Sequence, residues 1–298
     1  MRYQAGLILP GYNPLLVADA PTIGTATAGD TQVSVTFTAP ANVGGGAISG
    51  YIVVSTPSSI TGTGASSPIT VSGLSNGTAY TFKVFATNAY GPSALSAASN
   101  SVTPFVLAIG DAYQGGFYAG QIGVSGTATH NLVIGPVASA QNSSKQWKTS
   151  NTTTAGTTSD INGPTNSTNM NNASHPAAQF CEGLTIGGFS DWYMPAKNEL
   201  EVCYFNLKPT TTSNSTSSGI NANAVPARAS NYTTGTPAQT SATDFTSTGA
   251  EDFAPLNYWC STEDSATTGK FQYFSNGDQN ANSKTDSYHV RAIRRVAV

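Results

Sequence analysis

Gln32 to Thr38 alternates strictly, with Val33, Val35 and Phe37 on one face and Ser34, Thr36 and Thr38 on the other. Period two with one apolar face predicts a half-buried strand. Tyr51 to Val54 and Ile69 to Val71 predict two more, and Tyr80, Phe82, Val84 and Ala86 alternate with Thr81, Lys83 and Thr87. Pro40 and Gly44-Gly45-Gly46 mark a turn, and turn signals recur roughly every ten residues, the spacing of a sandwich. An all-β sandwich is therefore expected over residues 20–104. Before it, residues 1–19 hold too few apolar positions for a core. Tyr3, Leu7, Leu9 and Tyr12 are expected to anchor this arm on another protein rather than on its own chain.

Residues 105–298 read differently. Residues 115–122 and 131–137 look like strands. A short helix is expected over 175–184, with Ser174 as N-cap and Pro176 in its first turn. Leu200, Cys203 and Tyr204 fall at helical spacing, which predicts a second helix over 195–205. Residues 208–254 are rich in Ser, Thr and Asn, lack periodicity and are expected to be mobile. Strands at 258–262, 268–275 and 287–296 close an α+β domain. In the middle one, Phe271 and Tyr273 are expected to face inward and Lys270, Gln272 and Phe274 outward.

Composition narrows the function classes. Only 9% of the 298 residues are charged, against roughly 25% in a typical soluble domain. Ser, Thr, Asn, Gly and Ala take their place, as in β-rich surface proteins hydrated through hydroxyls and amides. A net charge of −3 argues against nucleic acid as a partner, and no run approaches the ~20 apolar residues of a membrane span. Pro10, Gly11, Asn13 and Pro14 break the only early apolar run, so no standard secretion signal is read. A phage virion protein, assembled in the host cytoplasm and acting outside, reconciles these features; non-classical export is the other route.

The segment Leu74-Ser75-Asn76-Gly77-Thr78-Ala79-Tyr80, with Asn88-Ala89-Tyr90-Gly91-Pro92-Ser93 after it, resembles fibronectin type III domains. The resemblance implies a spacer, and a tyrosine corner at Tyr80 whose hydroxyl bonds back to backbone. Phe37 stands where that family usually has tryptophan, and no Arg-Gly-Asp tripeptide occurs. Residues 188–200, running through Asp191-Trp192-Tyr193-Met194-Pro195 to Glu199-Leu200, precede Tyr258-Trp259-Cys260-Ser261-Thr262 and Val290-Arg291-Ala292-Ile293-Arg294-Arg295-Val296. Together they resemble C-type lectin-like domains at the C-termini of bacterial adhesins and phage tail fibres. Cys260 departs from the serine common there, and the tripeptides of calcium-dependent sugar binding are missing.

No catalytic motif is found, so no enzyme activity and no cofactor are expected. Cys181, Cys203 and Cys260 are too few for a disulfide framework and are expected to be buried thiols. The late carboxylates lack calcium-loop spacing, so no metal is assigned. Arg291, Arg294 and Arg295 are expected to pair with local carboxylates. Sugars are held by aromatic faces and planar amide and carboxylate groups, which assigns ligand contact to Glu263, Asp264, Lys270, Gln272, Asn276, Asp278 and Tyr288. Gln279 and Asn280 belong to the same polar stretch. The expected function is a phage virion fibre or tail adhesin. Its partners would be other virion proteins, through the arm, and a host surface glycan or protein, and it would act as a homo-oligomer or multivalent array. The alternatives are a decoration protein of capsid or tail without a receptor, and a non-classically secreted bacterial adhesin.

Overall fold

The computed structural model describes residues 16–298, which separate into two compact units between Leu107 and Ala108. The anchoring positions Tyr3, Leu7, Leu9 and Tyr12 lie outside the described residues. In the first unit, β1 (Thr22–Ala28), β2 (Gln32–Thr38) and β5 (Ile69–Ser72) form one sheet. The other contains β4 (Thr61–Gly64), β3 (Gly50–Thr56), β6 (Thr81–Asn88) and β7 (Gly91–Pro92) in that order. Val33, Val35, Val53, Val71, Phe82 and Val84 point between the sheets and are fully buried. The alternation in the sequence thus corresponds to a sandwich core. Phe37 closes one end against Tyr51, with ring centroids 4.7 Å apart. The Tyr80 hydroxyl accepts from the Ser75 N–H at 3.2 Å, the bond expected of the corner.

Two features of this unit were not visible in the pattern. Leu16 to Asp19, assigned to the arm, already belong to the sandwich: Gly45 N donates to Leu16 O at 2.9 Å and Asp19 N to Asn42 O at 3.0 Å. After β7 the chain runs beside β6 without forming a regular strand. Ser93, Ser96 and Ser99, three residues apart, supply their hydroxyls as acceptors to the N–H groups of Ala86, Val84 and Phe82. Their own N–H groups donate to the carbonyls of the same residues. The serines therefore satisfy a strand edge that would otherwise be open.

The second unit is β-rich with few helices. One sheet has the order β12 (Ala224–Val225), β9 (Gly116–Val124), β10 (Thr127–Ile134), β17 (Ile293–Ala297), with β8 (Ala112–Tyr113) on β9. The other runs β11 (Gln141–Gln146), β16 (Ser287–Arg291), β13 (Asn257–Glu263), β14 (Thr268–Tyr273), β15 (Gln279–Ser283). The helices are α1 (Val137–Ala140), α2 (Gly163–Asn169), α3 (Pro176–Glu182) and α4 (Lys197–Leu207). Leu200, Cys203, Tyr204 and Leu207 of α4 sit in a core with Ile122, Leu132, Tyr258 and Phe274. Among the described residues no helix is long and apolar enough to cross a membrane.

Several expectations are corrected here. His175, not Ser174, is the N-cap of α3, and no side chain caps that helix. Phe274 and Gln272 are buried rather than outward. Phe274 stacks on Phe253 with centroids 3.9 Å apart, and Phe271 and Tyr273 are only half-buried. The inward face of β14 is the one beneath α4, which a single amphipathic strand does not reveal. Residues 208–254 are irregular but tied down by polar side chains that carry no periodic signal. The Asn214 amide donates to Pro237 O at 2.8 Å, and the Lys208 ammonium donates to Thr212 O and Pro237 O.

Candidate functional site

The three sequence blocks of the C-terminal half meet in space. Tyr193 and Ile293 exchange backbone hydrogen bonds of 2.9 and 3.0 Å, and Ser261 N donates to Pro195 O at 2.7 Å. This junction sets where α4 begins. A helix start leaves N–H groups without intrahelical partners. Here Ala196 N donates to the Glu199 carboxylate at 2.8 Å, Lys197 N to Thr262 Oγ1 at 3.0 Å and Asn198 N to Asp160 O at 2.8 Å. Lys197 is thereby placed beside the β13–β14 turn. Its ammonium has no partner among the described residues.

That turn holds Asp264, which is exposed. Its N–H donates to Thr268 O at 3.1 Å, and its carboxylate accepts from the Thr268 hydroxyl at 2.8 Å. On β14, Gly269 lies so close to Trp147 that a Cβ would meet Trp147 Cδ1 at 2.8 Å. The strand therefore lies flat on the buried indole. The Cys260 thiol donates to Lys270 O at 3.2 Å. The Lys270 ammonium reaches Asp160 at 3.2 Å, both side chains part exposed. Lys270 faces Ala281, Phe271 faces Asn280 and Gln272 faces Gln279 across the β14–β15 ladder. Directly opposed residues project to the same side of a sheet, so the small Ala281 leaves room beside Lys270.

The result is an open groove of about 270 Å³ lined by Lys197, Asp264, Lys270, Phe271, Gln279, Asn280 and Ala281. Gln279 Nε2 is buried there without an acceptor among the described residues. Lys197, Lys270, Asp264 and Gln279 bring two ammonium groups, one carboxylate and an amide to the groove, while Phe271 and Asn280 border it from the opposite side of the ladder. Such a set can hydrogen-bond a polar ligand at little ordering cost.

Of the seven residues assigned to ligand contact, Asp264 and Lys270 line this groove. Glu263 does not, and its assignment is corrected: it is buried, accepts from Thr154 N at 2.8 Å and pairs with the fully buried Lys284 ammonium. Lys284 also donates to Thr152 O and Ala266 O, each at 3.0 Å, so all three of its protons are used. Gln272 is likewise corrected, being buried and donating to Gly277 O at 2.7 Å. Asn276 and Asp278 shape a turn around Gly277 (φ +77°): Asn276 Oδ1 accepts from Asp278 N at 3.0 Å, and Asp278 accepts from Ser215 Oγ at 3.2 Å. Tyr288 packs on Trp259, centroids 4.4 Å apart. Sequence reasoning missed Lys197, Phe271 and Ala281. The signal for Lys197 was its place at a helix start after Pro195, and for Ala281 its register opposite Lys270.

The remaining candidates are structural. Arg291 pairs with Glu251 at 2.8 Å, Arg294 with Asp191 at 2.7 Å and Arg295 with Glu199 at 2.6 Å. Burial pushes the thiols of Cys181 and Cys203 well up and that of Cys260 up to about 12, so none is a ready thiolate. His175 is pushed down to about 4, first by burial and then by Lys148 and Lys284, against Glu263. Asn172 Oδ1, which also accepts from Ser174 N at 3.1 Å, takes the Nδ1 proton of His175 at 2.9 Å. Nε2 is then the acceptor for the Thr154 hydroxyl at 2.8 Å. Among the described residues no three His, Cys, Asp or Glu side chains gather as metal ligands.

Comparison with known proteins agrees with this division of the chain. The fibronectin type III sequence model matches residues 19–102. The Lcl C-terminal domain matches residues 138–294, over half of the 298 residues, and the chain belongs to that family. Among solved structures it is similar to titin domains A168–A170, with 30% identity over 30% of this chain and 33% of that one at a TM-score of 0.28. It is also similar to titin module A71 from human cardiac muscle, with 29% identity over 28% of this chain and 90% of that one at a TM-score of 0.25. The twitchin kinase region of C. elegans shows 20% identity over 30% of this chain and 17% of that one, at a TM-score of 0.28. The chain thus spans a third of the first of these structures. No curated protein matches it.

Proposed function

We propose that this chain is a phage virion fibre or tail adhesin. Residues 1–15 anchor it to other virion proteins, the fibronectin type III domain is a spacer, and the C-terminal domain, of C-type lectin-like α+β type, contacts a glycan or protein on the host surface. The observation that carries the reading is the groove between the start of α4 and the β14–β15 ladder. Its residues are placed by a helix start, a turn and two paired strands whose backbones are hydrogen-bonded. Binding alone is required. A shallow groove gives weak single contacts, and repetition on a particle turns weak contacts into firm attachment.

The assembly half of the reading is tested by deleting residues 1–15, which leaves the Leu16 and Asp19 contacts of the sandwich in place. Thermal unfolding should be unchanged, and the truncated protein should no longer co-purify with phage particles from infected cells. Undiminished co-purification would remove the anchoring role. Absence of the intact protein from particles would favour a secreted bacterial adhesin.

A further inference from the structure

A second pocket, about 330 Å³ in volume, lies on the same domain where residues 227–236 pass the C-terminal half of α4. This volume is within the range of small-molecule sites. Behind two of its lining residues, Arg228 and Tyr232, lies Glu201 of α4, whose side chain is fully buried. Three donors hold that carboxylate: Arg228 in a two-point pair, the Tyr232 hydroxyl at 2.7 Å and the Asn221 amide. The Arg228 guanidinium also lies over the Phe205 ring, 4.0 Å from its centroid. Arg228 and Asn221 exchange backbone hydrogen bonds of 2.9 Å, and Tyr232 N donates to Ser218 O at 2.7 Å. Both ends of the segment are thus pinned before any ligand arrives.

What faces the pocket is chemically specific. Arg228 is the only charged residue lining it, and Glu201 already neutralises that charge. An anion would gain little there. Yet Arg228 Nη1 has no acceptor among the described residues. The same holds for the side chains of Ser230 and Asn231, which are exposed. The Thr236 hydroxyl joins them in the lining. The fixed Arg228 fork, two hydroxyls and an amide surround a wall made by Phe205 and the guanidinium lying over it. A neutral ring with hydroxyls at its edge and C–H groups on its face satisfies both sets.

We infer that this pocket is a binding site for a neutral hexopyranoside, separate from the Lys270 groove. It stands on its own geometry and does not require the groove to be a site. Two unlike subsites on one domain would let a single copy grip a branched or repeating surface polysaccharide at two points.

The test is NMR titration of the full chain with the methyl glycosides of glucose, galactose, mannose and N-acetylglucosamine, and with the methyl glycoside of glucuronic acid as the charged control. At least one neutral glycoside should shift the Arg228 Nε–H and Asn231 side-chain signals saturably, and the glucuronide should not. Asn231→Ala, at an exposed position, should weaken that response about tenfold. Arg228→Lys, which keeps the charge but loses the fork, should abolish it. Asp264→Ala in the other groove should leave it unchanged. The inference is overturned if neither signal responds to any neutral glycoside at tens of millimolar, if the glucuronide binds equally well, or if Asn231→Ala binds like the parent. Shifts confined to Lys270 and its neighbours would overturn it while supporting the first groove.

Discussion

Glu263 and Asp264 are adjacent in sequence and differ completely in circumstance. Glu263 is enclosed with Lys284. Its removal would strand an uncompensated ammonium, a loss of about 3–5 kcal/mol. Asp264 is exposed and holds only the Thr268 hydroxyl. The stretch from Glu263 to Tyr288 is polar throughout, and polarity alone could not separate the two. Glu263 owes its burial to Thr154, distant in sequence, and to a lysine that reads locally as surface. His175 belongs to the same buried cluster and makes it sensitive to acid. In the unfolded chain it takes a proton near its ordinary value of 6.5, but in the folded protein only near 4. Between those values the unfolded state binds more protons, so the stability linked to His175 is full above about pH 6.5 and is lost as pH falls toward 4. Chemical denaturation at pH 7 and pH 5 should show the parent losing about 1–2 kcal/mol more than His175→Gln. An identical pH response in the two proteins would mean that His175 is not held neutral.

Elements with strong periodicity were legible. The alternation over Gln32–Thr38 became β2, and the helical spacing of Leu200, Cys203 and Tyr204 became part of α4. Elements stabilised by polar side chains were not. β11 reads Gln-Asn-Ser-Ser-Lys-Gln and β15 Gln-Asn-Ala-Asn-Ser, with no apolar face to announce a strand. β15 is an edge, and Asn280 and Asn282 accept from the N–H groups of Ala281 and Ser283 at 2.9 Å. Its outer hydrogen-bonding positions are thus partly occupied from within, which discourages pairing with a stray strand. The turn before β6 was legible because it is a recurring local motif, and it can be tested. Tyr80→Phe keeps the buried ring and removes the acceptor for Ser75 N–H. Thermal or urea denaturation should show a loss of about 1 kcal/mol. No change in stability would show that the corner hydroxyl is dispensable here.

At the scale of the molecule, the chain joins a sandwich whose core is made by alternating strands to a larger β-rich domain whose hydrophobic clusters are supplemented by buried polar networks. The second domain is where sequence reasoning was weakest, because its groove assembles residues from a helix start, a turn and two strands. Lys197 and Ala281 come together only in the fold. The same design separates binding from stability. Lys270 and Asp160 are a part-exposed pair, worth at most about 1 kcal/mol. Asp264 is exposed, so both can be truncated in a folded protein, unlike Glu263 or Gln272. The most direct test of the account is therefore binding of the full chain, displayed in many copies on beads, to host cells, parent against Asp264→Ala with Lys270→Ala. The account predicts firm attachment by the parent and loss of attachment by the double variant at an unchanged melting temperature. Equal attachment by both proteins, or none by the parent, would contradict it.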